Sequence, residues 1–214
     1  MTEQAEQVEQ AKQADQTGSL PCLCPDDNCA NLGCVAPSPS WWSTAPTSCP
    51  LVIDPDASGC LSGGTVYAQT RECNSTTASS VIDNDDDWVI DIHITLSGSP
   101  PYLVCGLWCV SACLEDMCGP TTYYRFPRDS TDSSYCCCLV ATDQFTSDYE
   151  ISICIPGGKV AESECGAPYE LAVIVTLLSR DQMKPGDICD PATYMPLGVA
   201  TACELPLMTF YAGV

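Results

Sequence analysis

Two-residue alternation is the strongest regularity in this chain. From Trp88 to Gly98 the run WVIDIHITLSG puts Ile90, Ile92, Ile94 and Leu96 on one side, and Asp91, His93 and Thr95 on the other. That is the pattern of a strand with one face on a core. His93 then sits on the polar face, where the expectation is an exposed surface histidine. The same reading predicts strands at TVYAQTR (65–71), TTYYRF (121–126), YCCCLVAT (135–142), YEISICI (149–155) and YELAVIVTLLS (169–179), and a last run from Val199 to Tyr211. Pro206 should bend that last run or confine it to an edge. YLVCGLWCVSA (102–112) is apolar on both faces and predicts a central strand covered on both sides. About eight strands with short connections and no amphipathic helix predict a mainly β chain, an antiparallel sandwich or jelly-roll-like body.

The pattern weakens toward the N-terminus and divides the chain into three zones. Residues 1–18 form a polar arm rich in Gln and Glu, with Ala5, Val8, Ala11 and Ala14 as a thin apolar stripe. Such a stripe does not hold a helix by itself. The arm is therefore either a frayed terminus or a helix docked on a neighbouring subunit. Residues 19–64 are loop-rich, with Pro, Gly, Ser and Asp at short intervals and little regular structure expected. Residues 65–214 form the β-sandwich domain. The acidic run DNDDDW lacks the glycine and the later glutamate of a calcium loop in register, so Asp83, Asp85, Asp86 and Asp87 read as a solvated turn before a strand.

Cysteine changes the picture most. Eighteen occur in 214 residues: Cys22, Cys24, Cys29, Cys34, Cys49, Cys60, Cys73, Cys105, Cys109, Cys113, Cys118, Cys136, Cys137, Cys138, Cys154, Cys165, Cys189 and Cys203. No C-x-x-C pair exists among them, and His93 is the one histidine. Zinc knuckles, thioredoxin-like redox sites and c-type haem attachment all need that pair or more imidazoles. The best metal candidate is CGLWCVSACLEDMCG, where Cys105, Cys109 and Cys113 share a face on a helix or on a strand alike. We expect disulfides rather than a metal, and no cofactor. In SSYCCCLVAT, strand geometry puts Cys136 and Cys138 on one face and Cys137 on the other. A trans peptide keeps vicinal cysteines from pairing with each other. Each then needs a distant partner, and Cys137 is the candidate for a bridge to another subunit.

Bridges persist outside a reducing cytosol. The start, MTEQAEQVEQAKQADQTGSL, carries no export signal. A particle released by lysis needs none. With 28 acidic against seven basic residues, the formal net charge of −21 predicts repulsion from nucleic acid and anionic membranes. No apolar run approaches a membrane span. Catalysis by a Ser-His-Asp or Cys-His set would have to use His93, and no nucleophile elbow, P-loop or H-E-x-x-H motif accompanies it. An enzyme is not expected.

With its β-rich body from Thr65 to Val214, polar arm, acidity, abundant cysteine and missing export signal, the chain resembles the disulfide-reinforced structural proteins of tailed-phage virions. The resemblance implies a decoration, cement or neck component. Its partners would be other copies of itself or major capsid or neck subunits, met in a symmetric assembly. The rival expectation is a secreted or surface binding module, adhesin- or lectin-like, using Trp41 and Trp42 as an aromatic contact.

Overall fold

The computed structural model describes residue 29 and residues 32–53, 61–98, 106–118, 123–126, 138–141, 147–161, 167–180 and 194–211. In chain order the described elements are a 3-10 turn, Trp41–Thr44, and twelve strands. They are β1 (Thr47–Pro50), β2 (Val52–Ile53), β3 (Leu61–Glu72), β4 (Val81–Asp83), β5 (Trp88–Gly98), β6 (Gly106–Asp116), β7 (Tyr123–Phe126), β8 (Cys138–Ala141), β9 (Asp148–Ile155), β10 (Tyr169–Arg180), β11 (Tyr194–Glu204) and β12 (Thr209–Tyr211).

These strands make a mainly β, antiparallel sandwich. One sheet runs β1-β3-β5-β9, and the other β2-β11-β10-β6-β7, with β8 continuing along the same edge of β6 as β7. The alternation in β5 dictates which residues meet between them. Ile90, Ile92 and Ile94 are fully buried, opposite Thr70, Ala68 and Val66 on β3 and Ile153, Ile151 and Tyr149 on β9. From the second sheet Trp108, Val110, Ala112 and Leu114 of β6 lie beside Leu177, Val175, Val173 and Leu171 of β10. All belong to one core, and the Trp108 ring meets Tyr149 edge-on across the gap at 5.9 Å. Burial of this many branched side chains, at about 25 cal/mol per Å² of apolar surface, supplies the main cohesion.

One end of the sandwich is closed by β4 and β12, which pair in parallel, a departure from the wholly antiparallel body expected. The cause is local. Leu205–Met208, which contains Pro206, interrupts the last run between β11 and β12, so the chain leaves the second sheet and comes alongside β4. Phe210 then packs edge-on against Trp88 and Tyr169, plugging the core.

Two expectations are modified here. The loop-rich zone contributes β1 and β2, short strands whose low alternation hid them. Of YCCCLVAT the structure describes 138–141, with Cys138 in register opposite Val110; Cys136 and Cys137 lie outside the described residues. The polar arm, 1–18, lies outside them as well.

Candidate functional site: a stapled strap over a polar sheet face

On the first sheet the face opposite the core is polar by sequence. Its side chains are Tyr67, Gln69 and Arg71 of β3, Asp91, His93 and Thr95 of β5, and Asp148, Glu150 and Ser152 of β9. Strand parity alone makes such a face a solvent face. Instead its Gln69, Arg71, Asp91 and His93 are buried, while Asp148 and Glu150 at its β9 edge stay exposed; the segment 32–46 lies against this face as an irregular strap, touching it at Cys73, Thr76 and His93. The strap makes its 3-10 turn at Trp41–Thr44, with the Ser43 hydroxyl donating to the Ser40 carbonyl at 2.9 Å.

Under the strap, Arg71 and Asp91 are almost fully buried. Arg71 Nε donates to Asp91 Oδ2 at 2.6 Å and Nη2 to Oδ1 at 3.2 Å, the two-point fork that suits guanidinium and carboxylate. Gln69 Nε2 and the Ser152 hydroxyl supply two further donors to Asp91, at 3.1 and 2.8 Å. Arg71 Nη1 also donates to the Ser75 carbonyl at 2.9 Å. A buried charge pair is tolerated when its remaining lone pairs and protons are satisfied in this way.

His93 overturns the expectation of an exposed surface histidine: it is 3% exposed. The Trp42 ring stacks on it at 4.7 Å and 13°, with Tyr67 tilted nearby at 6.0 Å. Asp148 Oδ1 lies 3.3 Å from Nε2 and Glu150 Oε1 3.6 Å from Nδ1, yet neither contact has hydrogen-bond geometry. Parity put His93 on the right face. What it could not see was a second segment lying on that face. Trp41 is buried, and the half-buried Trp42 stacks one face of its ring on His93.

Disulfides fasten this arrangement. Cys29 bonds Cys154 on the outer face of β9, Cys34 bonds Cys73 at the end of β3, and Cys49 on β1 bonds Cys203 on β11. The first two hold the strap to one end of the first sheet. The third joins the inner faces of the two sheets, with Cys203 fully buried. Cys109 and Cys118 are disulfide-bonded as well. Cys113 departs from the expectation and is free. Its register partners are Arg125 on β7 and Ala172 on β10, so no cysteine lies directly across. Burial raises the pKa of its thiol, with Arg125 opposing and Glu115 adding. Cys22, Cys24, Cys60, Cys105, Cys136, Cys137, Cys165 and Cys189 lie outside the described residues, and so does the proposed bridging role of Cys137.

The one imidazole of this face lies under indole and its buried carboxylate is saturated by donors, while Asp148 and Glu150 remain exposed at its edge. Among the described residues no three His, Cys, Asp or Glu side chains converge to hold a metal, and no helix is long and apolar enough to cross a membrane. Asp83 and Asp87 serve their turn, accepting the amides of Asp85 and Gly157 at 3.0 and 2.8 Å. Intramolecular disulfides in this number belong to an oxidising environment. No family model, curated protein or solved structure matches this chain.

Proposed function

We propose that the chain is a non-enzymatic structural subunit of an extracellular assembly, and within that class a virion component of the decoration, cement or neck type. The observation that carries this reading is the use of sulfur. Of the nine cysteines whose side chains are described, eight are bonded, and Cys34–Cys73, Cys29–Cys154 and Cys49–Cys203 span 39, 125 and 154 residues of chain. Long-range staples of this kind harden a body rather than build a reactive centre. The burial of His93 under Trp42 supports a non-enzymatic role, since a general base needs access to its substrate. The net charge of −21 supports partners other than nucleic acid and membrane.

Covalent links between subunits, with Cys137 as the candidate, would extend the same hardening to the assembly. Intact mass spectrometry with and without reductant, after alkylation, tests the reading. The expected result is that most of the 18 cysteines take up alkylating agent only after reduction, and that covalent oligomers collapse to a 22.8 kDa chain. Mostly free thiols in native protein would remove the structural role and the extracellular setting together. A monomer mass unchanged by reductant would remove the links between subunits alone.

A further inference from the structure

We propose that residues 32–46 are a redox latch: a strap that swings on β1 when thiols are free and is sealed onto the first sheet when two disulfides form. The inference rests on the reading of the chain as a disulfide-hardened subunit and adds the order in which it hardens.

The sequence of the strap makes it a poor fit to what it covers. From Cys29 to Ile53 there is not one charged residue, in a chain that carries 28 acids and seven bases. On the face it borders, Arg71, Asp91 and His93 are buried, and the exposed carboxylates of Asp148 and Glu150 lie beside His93. Apart from the buried Trp41 and the packing of Trp42 on Tyr67, the strap meets the body through a small number of contacts. The Val35 amide donates to the Cys73 carbonyl at 2.9 Å, the Ser38 hydroxyl to the Thr76 carbonyl at 3.3 Å, and Trp42 stacks on His93. The strap is not a strand of either sheet.

Its two ends differ in kind. At the C-terminal end Ala45 and Pro46 lead into β1, which is paired with β3 from Thr47 to Pro50. At the N-terminal end the anchors are sulfur. Cys34 is bonded to Cys73, one residue beyond β3, and Cys29 to Cys154, which sits opposite Val89 at the same end of the sheet. One end is thus held by sheet pairing that needs no oxidant, the other by bonds that do. Opening about Ala45 and Pro46 lifts Trp42 off His93 and uncovers Gln69, Arg71 and Asp91, while the core between the sheets stays closed.

Sealing is thiol–disulfide exchange. A low-molecular-weight disulfide accepts two electrons from the Cys34 and Cys73 thiols. The Cys34–Cys73 bond forms, the S–S bond of the reagent breaks, and the two protons leave on its two released thiols. Cys29 and Cys154 react in the same way.

The test replaces Cys29, Cys34, Cys73 and Cys154 together by serine, leaving Cys49–Cys203 in place. Chymotrypsin cleavage after Trp41 and Trp42 is timed by mass spectrometry, and far-UV circular dichroism reports on the sheets of the core. The expected result is an unchanged core spectrum with cleavage faster by at least about thirtyfold, the low end of what loss of a single staple predicts. Wild-type protein taken through graded reduction, with cut bonds mapped by mass, gives a second route to the same measurement. Unchanged cleavage after both staples are shown to be cut overturns the latch. Loss of the core spectrum in the variant also overturns it, because the staples would then hold the body and not the strap. Absence of Cys29–Cys154 and Cys34–Cys73 from native protein would instead count against the structural reading on which the latch depends.

Discussion

The Cys49–Cys203 bridge offers a measurement of how much sulfur adds to this core. Its partners lie on facing inner sides of the two sheets, and both pack into the apolar interior. Replacing both by alanine leaves no unpaired thiol and removes only two sulfur atoms of packing. The dominant loss is therefore in the unfolded chain, which gains freedom. Alone the bridge would close a loop of 154 residues. Cys29–Cys154 already ties the chain, so the shorter covalent path runs twenty residues from Cys49 back to Cys29, and forty-nine from Cys154 on to Cys203. A ring of roughly 70 residues corresponds to about 4 kcal/mol of loop-closure entropy at 25 °C. For a chain of this length that is a fall in melting temperature of about 8 to 16 °C. Differential scanning calorimetry of C49A/C203A without reductant, with Cys29–Cys154 and Cys34–Cys73 verified by peptide mapping, reads it directly. A shift below about 2 °C would refute the reasoning, and would mean that packing between the sheets already restricts the denatured chain.

Other outcomes follow from the same geometry. Asp91→Asn strands the buried Arg71 guanidinium and should cost about 3 to 5 kcal/mol in urea unfolding, whereas an exposed pair would cost under about 1. Tyr169, whose hydroxyl donates to the Ala161 carbonyl at 2.7 Å, has its pKa pushed up to about 12, first by burial and then by Tyr124 and Asp116. An unfolded tyrosine ionises near pH 10, so stability is untouched below that value and falls between about pH 10 and 12 as only the unfolded chain releases its proton. Tyr169→Phe should flatten that alkaline limb in thermal melts. Iodoacetamide on native protein should label Cys113 slowly, faster as pH rises, and leave Cys109 and Cys118 unlabelled in peptide maps. Gly157→Ala should destabilise the fold markedly in urea unfolding, because a Cβ there runs into the Asp85 carbonyl, which is backbone and has little room to yield.

Alternation was enough to place the body. The bounds of β5 read from WVIDIHITLSG match the strand, and β9 and β10 fall within a residue of their runs, because a buried face forces period two on whichever residues form it. The apolar stretch around Trp108 was legible as a central strand for the same reason, and β6 does lie between β10 and β7 with β8. Cysteine number and the absence of C-x-x-C spacing pointed to bridges before any pairing was known. Pairing itself is a matter of distance between residues as far apart as Cys49 and Cys203, and local sequence holds no record of that. The short strands β1, β2 and β4 owe their existence to the neighbours they pair with, since two to four residues carry no periodic signal. His93 and Asp91 show the limit most sharply. Parity correctly put them on the face away from the core, but exposure depends on what else lies there. A charge-free strap from elsewhere in the chain, held down by sulfur, lies against the face on which Arg71, Asp91 and His93 are buried, and only the tertiary structure brings those two segments together.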